Sequence, residues 1–259
     1  MAHPNPSRNR LVLPALFLFL ALAGCGTVFV NQGSKNEPLR DGLQNPSEHA
    51  AKVIVPAAQK VVSDFEDGSN RMNPQLYGAP EGSWMAYSYA GNTVNSPFVV
   101  SGGANGTKMA AHLFGNLINK GDASYPAFVL AGRFNPGGYF DASAFSGIRF
   151  YYKCPSDDNA SARRFAIPIA GTVPPSAGGT CSDNCYNHFG KDLVPSDGWV
   201  LVNAPFKDLQ RIPGWGSPVG SPEFPEHLTE IIDIEWNHNS ANTGGKTNID
   251  FWVDEVEFY

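Results

Sequence analysis

From Val61 to Tyr259, apolar and polar residues alternate in short runs, and each run is cut off by a cluster of Gly, Pro, Asn or Ser. A period of two sends successive side chains to opposite faces, so each run makes a strand with one buried face. In residues 148–153, Ile148, Phe150 and Tyr152 share one face, while Arg149, Tyr151 and Lys153 share the other. Phe165, Ile167 and Ile169 repeat the pattern, and so do Val200, Val202, Ala204 and Phe206. Ile232, Ile234 and Trp236 form another row, with Asp233, Glu235 and Asn237 between and after them. The runs 61–66, 83–90, 108–114, 127–134, 147–153, 163–170, 198–206, 230–237 and 249–258 read as strands. No stretch of helical period matches them in strength beyond the first 24 residues. Glycine and proline make up 48 of the 259 residues, which supplies the turns between so many short strands. The pattern predicts an all-β fold, a single antiparallel β-sandwich.

The last run carries an irregularity. Ile249, Phe251 and Val253 have one parity, and Val256 and Phe258 have the other. A one-residue slip at Asp254 and Glu255 predicts a β-bulge, which re-aims the Asp254 carboxylate.

The N-terminus reads as an address. Arg8 and Arg10 precede an apolar run over 11–23 that is short for a membrane span. It ends in Leu22-Ala23-Gly24-Cys25, which matches the bacterial lipobox. The expectation is a lipoprotein signal peptide over 1–24, with Cys25 acylated as the new N-terminus and the protein held to the membrane by its lipid. Gly26 follows where an aspartate would signal inner-membrane retention, so the expected place is the bacterial cell envelope, at the outer membrane. Residues 25–60 read as a tether, although Val53, Ile54 and Val55 have the look of a short strand. The domain proper is 61–259. Loss of Arg8 and Arg10 takes the formal charge from −6 to −8, which argues against nucleic acid as a partner.

No G-x-S-x-G, H-E-x-x-H, P-loop or dinucleotide fingerprint is present. Asp233 and Glu235 share a face, but they lie along one strand and do not flank a bond as an acid/base couple does, so they read as a charged outward row. Sugar recognition needs aromatic faces for pyranose C–H groups and planar polar groups for hydroxyls. The outward parity offers Tyr87, Tyr89, Arg149, Tyr151, Asp233, Glu235 and Asn237, and His188 and Trp215 lie in loops that border such a face. With Cys25 given to lipid, Cys154, Cys181 and Cys185 remain. An oxidising compartment favours a bridge. A local Cys181–Cys185 bridge and a bridge from Cys154 to either partner are all open, and Cys181, Cys185 and His188 also have the spacing of three zinc ligands.

Asp64-Phe65-Glu66-Asp67-Gly68 at the start and residues 251–258 at the end resemble the two ends of jelly-roll carbohydrate-binding modules. The similarity is to the family-11-like group of the galactose-binding-like sandwiches. Gly82-Ser83-Trp84, Phe140-Asp141-Ala142-Ser143, Gly147-Ile148-Arg149-Phe150, Gly198-Trp199, Pro205-Phe206 and the segment 179–190 fall between them in the familiar order. The resemblance implies a jelly-roll sandwich, a structural calcium between the first and last strands with Asp64, Glu66 and Asp254 as ligands, and glycan binding on a concave sheet face. The expected function is that of a lipid-anchored, non-catalytic protein that binds a poly- or oligosaccharide. The alternatives are an envelope lipoprotein that binds another protein and a glycan-active jelly-roll enzyme.

Overall fold

The computed structural model describes residues 53–54, 60–73, 82–89, 92–119, 126–134, 138–241 and 245–259, all within one compact unit, Leu43–Tyr259. The signal peptide, Cys25 and nearly all of the tether lie outside the described residues. Among the described residues, thirteen strands follow in chain order: β1 Val53–Ile54, β2 Val61–Ser63, β3 Ser83–Ser88, β4 Val99–Ser101, β5 Met109–Ile118, β6 Ala127–Arg133, β7 Phe140–Asp141, β8 Gly147–Cys154, β9 Ala162–Ile167, β10 Phe189–Asp192, β11 Ser196–Pro205, β12 Asp233–Asn239 and β13 Lys246–Phe258. Short 3₁₀ turns are the helical pieces among the described residues, and no helix there is long and apolar enough to cross a membrane.

The strands form two antiparallel sheets. One has five strands in the order β10-β9-β12-β6-β3. The other has six, in the order β11-β8-β13-β5-β4, with β2 added to the far part of β13. β1 pairs in parallel with β7, so the end of the expected tether joins a strand pair. The nine expected strands are all present. β2 stops at Ser63 because Phe65 takes φ +55°, which no extended strand allows. β9 stops before Pro168, and β12 starts at Asp233. The sequence reading missed β4, β7 and β10, which run for two to four residues and are too short to display a period.

The inward parities meet between the sheets. Phe150 on β8 packs edge-to-face on Trp236 of β12 with centroids 4.9 Å apart, and lies 5.0 Å from Phe165 of β9. Trp84, Phe128 and Leu130 continue this core from β3 and β6, and Ile249, Phe251 and Val253 from β13. Fully burying one such side chain contributes roughly 1.5–3 kcal/mol. The expected bulge is there: after Asp254 the register to β8 shifts, Glu255 takes φ +45°, and Val256 and Phe258 return to the core on the other parity.

A polar link also crosses the core. His238 on β12 bonds the Tyr152 hydroxyl of β8 through Nε2 and the Asp158 carboxylate through Nδ1, each at 2.8 Å, and Arg163 pairs with Asp158. Cys154 lies beside them, buried and free. Burial pushes its thiol up to about 11, so it is an inert core residue.

Candidate functional site

The outer face of the five-stranded sheet holds a cleft. Along β6, Ala127, Val129 and Ala131 face outward, and Ala166 of β9 lies near them. These short side chains leave a hollow floor. β12 sends Asp233, Glu235, Asn237 and Asn239 to the same face. Two adjoining hollows of about 730 and 260 Å³ share Tyr89, Tyr186, His188 and Glu235 in their linings.

Two loops build the wall. Cys181 and Cys185 form a disulfide, which resolves the open pairing and removes the zinc reading, because bridged sulfurs are not thiolate ligands. Asn187, almost wholly buried, clamps this loop to the second one. Its side-chain amide donates to the carbonyls of Ile212 (2.8 Å) and Trp215 (2.7 Å), and its oxygen accepts from the Ile212 amide at 2.9 Å. Gly216 takes φ +86°, and a Cβ there would lie 2.6 Å from that of Asn187, so the clamp closes only on glycine. Tyr186 sits at φ +76°, where a tyrosine is strained. The rings that rim the cleft are open to solvent: Tyr89 is 44% exposed, Trp215 49% and Tyr186 54%.

The floor is electrostatically unusual. Asp233 is held by Arg133 of β6. Burial nevertheless raises Asp233 to about 6, against the lowering effect of Arg133. Burial raises Glu235 to about 7, with Asn237 pulling the other way and Asp233 adding to the rise. Asn237 donates to Glu235 at 2.8 Å. His188 bonds the Thr172 hydroxyl through Nδ1 at 2.7 Å, and burial, with Arg211 and Arg164, pushes it down to about 3. It is therefore neutral at physiological pH. Tyr87 and Tyr89 stand edge-to-face at 5.5 Å, both raised chiefly by burial.

The structure splits the sequence-derived ligand set. Tyr87, Tyr89, His188, Asp233 and Glu235 come together at the cleft. Arg149 and Tyr151 also point outward, but from β8 of the other sheet, on the opposite side of the sandwich. Parity tells inside from outside and does not tell which sheet a strand joins. Arg149 is moreover paired with Glu257 of β13. Trp215 borders the cleft as the loop reading expected, whereas Tyr186, Arg164 and the Asn187 clamp were not singled out as site residues.

The three carboxylates expected at calcium stand apart from this cleft. Asp254 is fully buried, and burial raises its pKa. Its Oδ2 accepts from the Ala104 amide (2.7 Å) and the Thr107 hydroxyl (2.6 Å), and that hydroxyl lies 2.5 Å from the Ala104 carbonyl. One hydroxyl proton thus serves two acceptors, and the three converging oxygens have the character a hard cation prefers. Glu66 joins the same loop, accepting from the Lys108 and Met109 amides. Asp64 is exposed and caps the Glu66 amide at 3.2 Å. The three carboxylates are not gathered as a set: among the described residues, the group of three metal-capable side chains with atoms mutually within 4.8 Å is Cys154, Asp158 and His238. Both ring nitrogens of that histidine are already bonded.

No protein-family model matches this chain, and no curated protein matches it. Solved structures do. A family 11 carbohydrate-binding module from Clostridium thermocellum, in complex with a β-1,3-1,4-mixed-linked tetrasaccharide, aligns with 77% of this chain and 94% of its own at 20% identity and a TM-score of 0.50. The family 11 module of the cellulosomal cellulase Lic26A-Cel5E of Clostridium thermocellum aligns with 68% of this chain and 86% of its own, at 20% identity and a TM-score of 0.45. An exo-β-agarase aligns with 78% of this chain and 25% of its own, at 13% identity and a TM-score of 0.42. The first likeness is one of fold: the chain is an all-β jelly-roll sandwich like that module.

Proposed function

We propose that this protein is a non-catalytic carbohydrate-binding protein that holds a poly- or oligosaccharide in the cleft on the outer face of the five-stranded sheet. The observation that carries the reading is the pairing of exposed rings with a polar floor: Tyr89, Tyr186 and Trp215 stand above Glu235, Asn237, Asn239 and Arg164. Ring faces stack on pyranose C–H groups, and the amides, carboxylate and guanidinium bond the hydroxyls. The fold neighbour from Clostridium thermocellum was solved with a mixed-linked tetrasaccharide, which makes that glycan the first to try. A shallow, partly wet site implies a Kd of roughly 10 µM to 1 mM.

Lipid at Cys25, a place at the outer membrane and a calcium ion bound near Asp254 and Glu66 belong to the same reading. The lipid supplies two or more acyl chains, enough for stable anchoring. The ion would neutralise a buried carboxylate and tie the last strand to the loop 104–109.

The experiment is calorimetric titration of the calcium-loaded protein with glycans chosen from an array, together with an assay for reducing-sugar release. Binding without release supports the reading. Release that disappears in Glu235→Gln would make the cleft an active site, and an array without a hit would hand the cleft to a protein partner.

A further inference from the structure

Among the buried acids of the described residues, Asp254 accepts from the Ala104 and Glu255 amides and the Thr107 hydroxyl. Asp233 has Arg133, and Asp158 has Arg163 and His238. Glu235 is buried as well, its side chain 9% exposed against 0% for Asp158 and 12% for Asp233, yet it faces no charged partner. Its one side-chain hydrogen bond comes from the neutral amide of Asn237, and the nearest ionisable nitrogen, His188 Nε2, stands 3.8 Å away. That imidazole is neutral, held so by burial and by the positive charges of Arg211 and Arg164. Neither arginine is free to turn to Glu235. Arg164 bonds Asp192 and the Gln210 carbonyl, and Arg211 bonds the carbonyls of Asn187 and Ser217. The remaining neighbours are the phenols of Tyr87 on β3, Tyr89 just past its end and Tyr186 beside the disulfide. Leaving a carboxylate buried without a partner costs several kcal/mol, so burial favours the protonated form until a cation arrives.

Glu235 also lies where the two hollows of the cleft meet, with Tyr89, Tyr186 and His188. A carboxylate at the base and tyrosine rings at the side are the two groups that hold an ammonium, one by a charge-assisted hydrogen bond and the other by its π face. A neutral imidazole adds an acceptor without repulsion. The cleft on either side is broad enough for sugar rings next to the one that carries the charge.

We infer that the cleft selects a glycan bearing a protonated primary amine, a deacetylated amino sugar, whose ammonium group sits on Glu235 between Tyr89 and Tyr186. The inference rests on the glycan-binding reading and narrows it. On binding, the Glu235 carboxyl gives up its proton, to solvent where the ligand's amine is already charged and to that amine where it is neutral, and the ammonium pairs with the carboxylate. Burial holds that carboxyl at about 7 in the free protein, so the exchange falls near neutral pH.

The test is calorimetric titration of the whole chain with three hexamers: β-1,4-linked glucosamine, its N-acetylated form and the unsubstituted β-1,4-glucan. The mixed-linked glucan serves as a further neutral ligand. At about pH 7 the amine hexamer should bind about tenfold tighter than either β-1,4 analogue, and at about pH 5.5, where its amines are charged before binding, it should release a proton, read from the buffer dependence of the heat. The preference should shrink toward about pH 5, where the free protein holds Glu235 protonated and binding must displace that proton. Glu235→Gln should bring the hexamers to within about twofold of one another. The chain is acidic, so a polyamine gains from its surface charge alone. A preference that survives Glu235→Gln would therefore overturn the inference. Equal or tighter binding of a neutral hexamer or of the mixed-linked glucan would also overturn it, and would leave the glycan-binding reading standing. Failure of every glycan would sink both. Should the Gln variant melt early, proton release by the wild type decides: an amine hexamer bound with no proton released at about pH 5.5 contradicts the inference.

Discussion

At the scale of single residues, the cleft is assembled from groups held against their own preference. Glu235 is an acid raised by burial, and the sign of its effect on stability follows. An unfolded glutamate titrates near 4.3, whereas this one titrates at about 7, so the folded state binds the extra proton between those values. Stability from this group is therefore present at low pH and lost as pH rises through about 7. Glu235→Gln, which mimics the protonated form, should gain on the wild type by on the order of a few kcal/mol between about pH 4 and 8. Melting temperatures across that range check this, and a constant gap between the two proteins would contradict it. Tyr186 is strained in a different way, with φ +76° and more than half its surface exposed. Tyr186→Gly relieves the backbone and loses little packing. It should melt no lower than the wild type and bind glycan about tenfold more weakly, by the loss of one stacking ring. A drop of several degrees in melting temperature would show that Tyr186 serves the fold and not the ligand.

At the scale of elements, the two wall loops depend on one another. The disulfide closes a ring of five residues, worth about 2 kcal/mol by chain entropy, and Asn187 carries that order across to the loop with Trp215. Asn187→Ala leaves two carbonyls and an amide without partners, at about 1–3 kcal/mol each where water is excluded. It should lower stability and weaken glycan binding together, and the same variant with unchanged affinity would mean that Trp215 needs no clamp. This clamp was invisible in the sequence, because its partners are 25 and 28 residues away in a loop with no periodic pattern. The strands were far more legible. A period of two is local, so nine strands and the slip at Asp254 stood in plain view. β4, β7 and β10 did not, since two to four residues cannot establish a period. The site fell between these limits. Tyr87, Tyr89, Asp233 and Glu235 are correctly outward, but the same outward parity on β8 swept in Arg149 and Tyr151. Only the pairing order of the strands, fixed by contacts across the whole chain, assigns β8 to the opposite sheet.

At the scale of the whole molecule, the sandwich presents two unlike outer faces. The six-stranded sheet covers its outer side with pairs that satisfy themselves: Trp252 stacks on His112 at 3.6 Å and lies under the Lys153 ammonium at 4.0 Å. The five-stranded sheet leaves its rings and Glu235 open to a cleft. The calcium proposed at Asp254 would act on the fold as a whole. A bound ion stabilises by about 2.7 kcal/mol at a hundredfold excess over its Kd. Chelation should therefore lower the melting temperature, and Asp254→Ala should remove that sensitivity. A wild-type melting curve indifferent to chelator after dialysis would exclude the ion. The central claim is that the five-stranded face, and not its opposite, binds glycan. Its most direct test is titration of the wild type, Trp215→Ala and Tyr151→Ala with one array-selected oligosaccharide. The account predicts that Trp215→Ala weakens binding about tenfold while Tyr151→Ala leaves it unchanged. Loss of binding in Tyr151→Ala with full affinity in Trp215→Ala would place the ligand on the wrong side of the sandwich and contradict it.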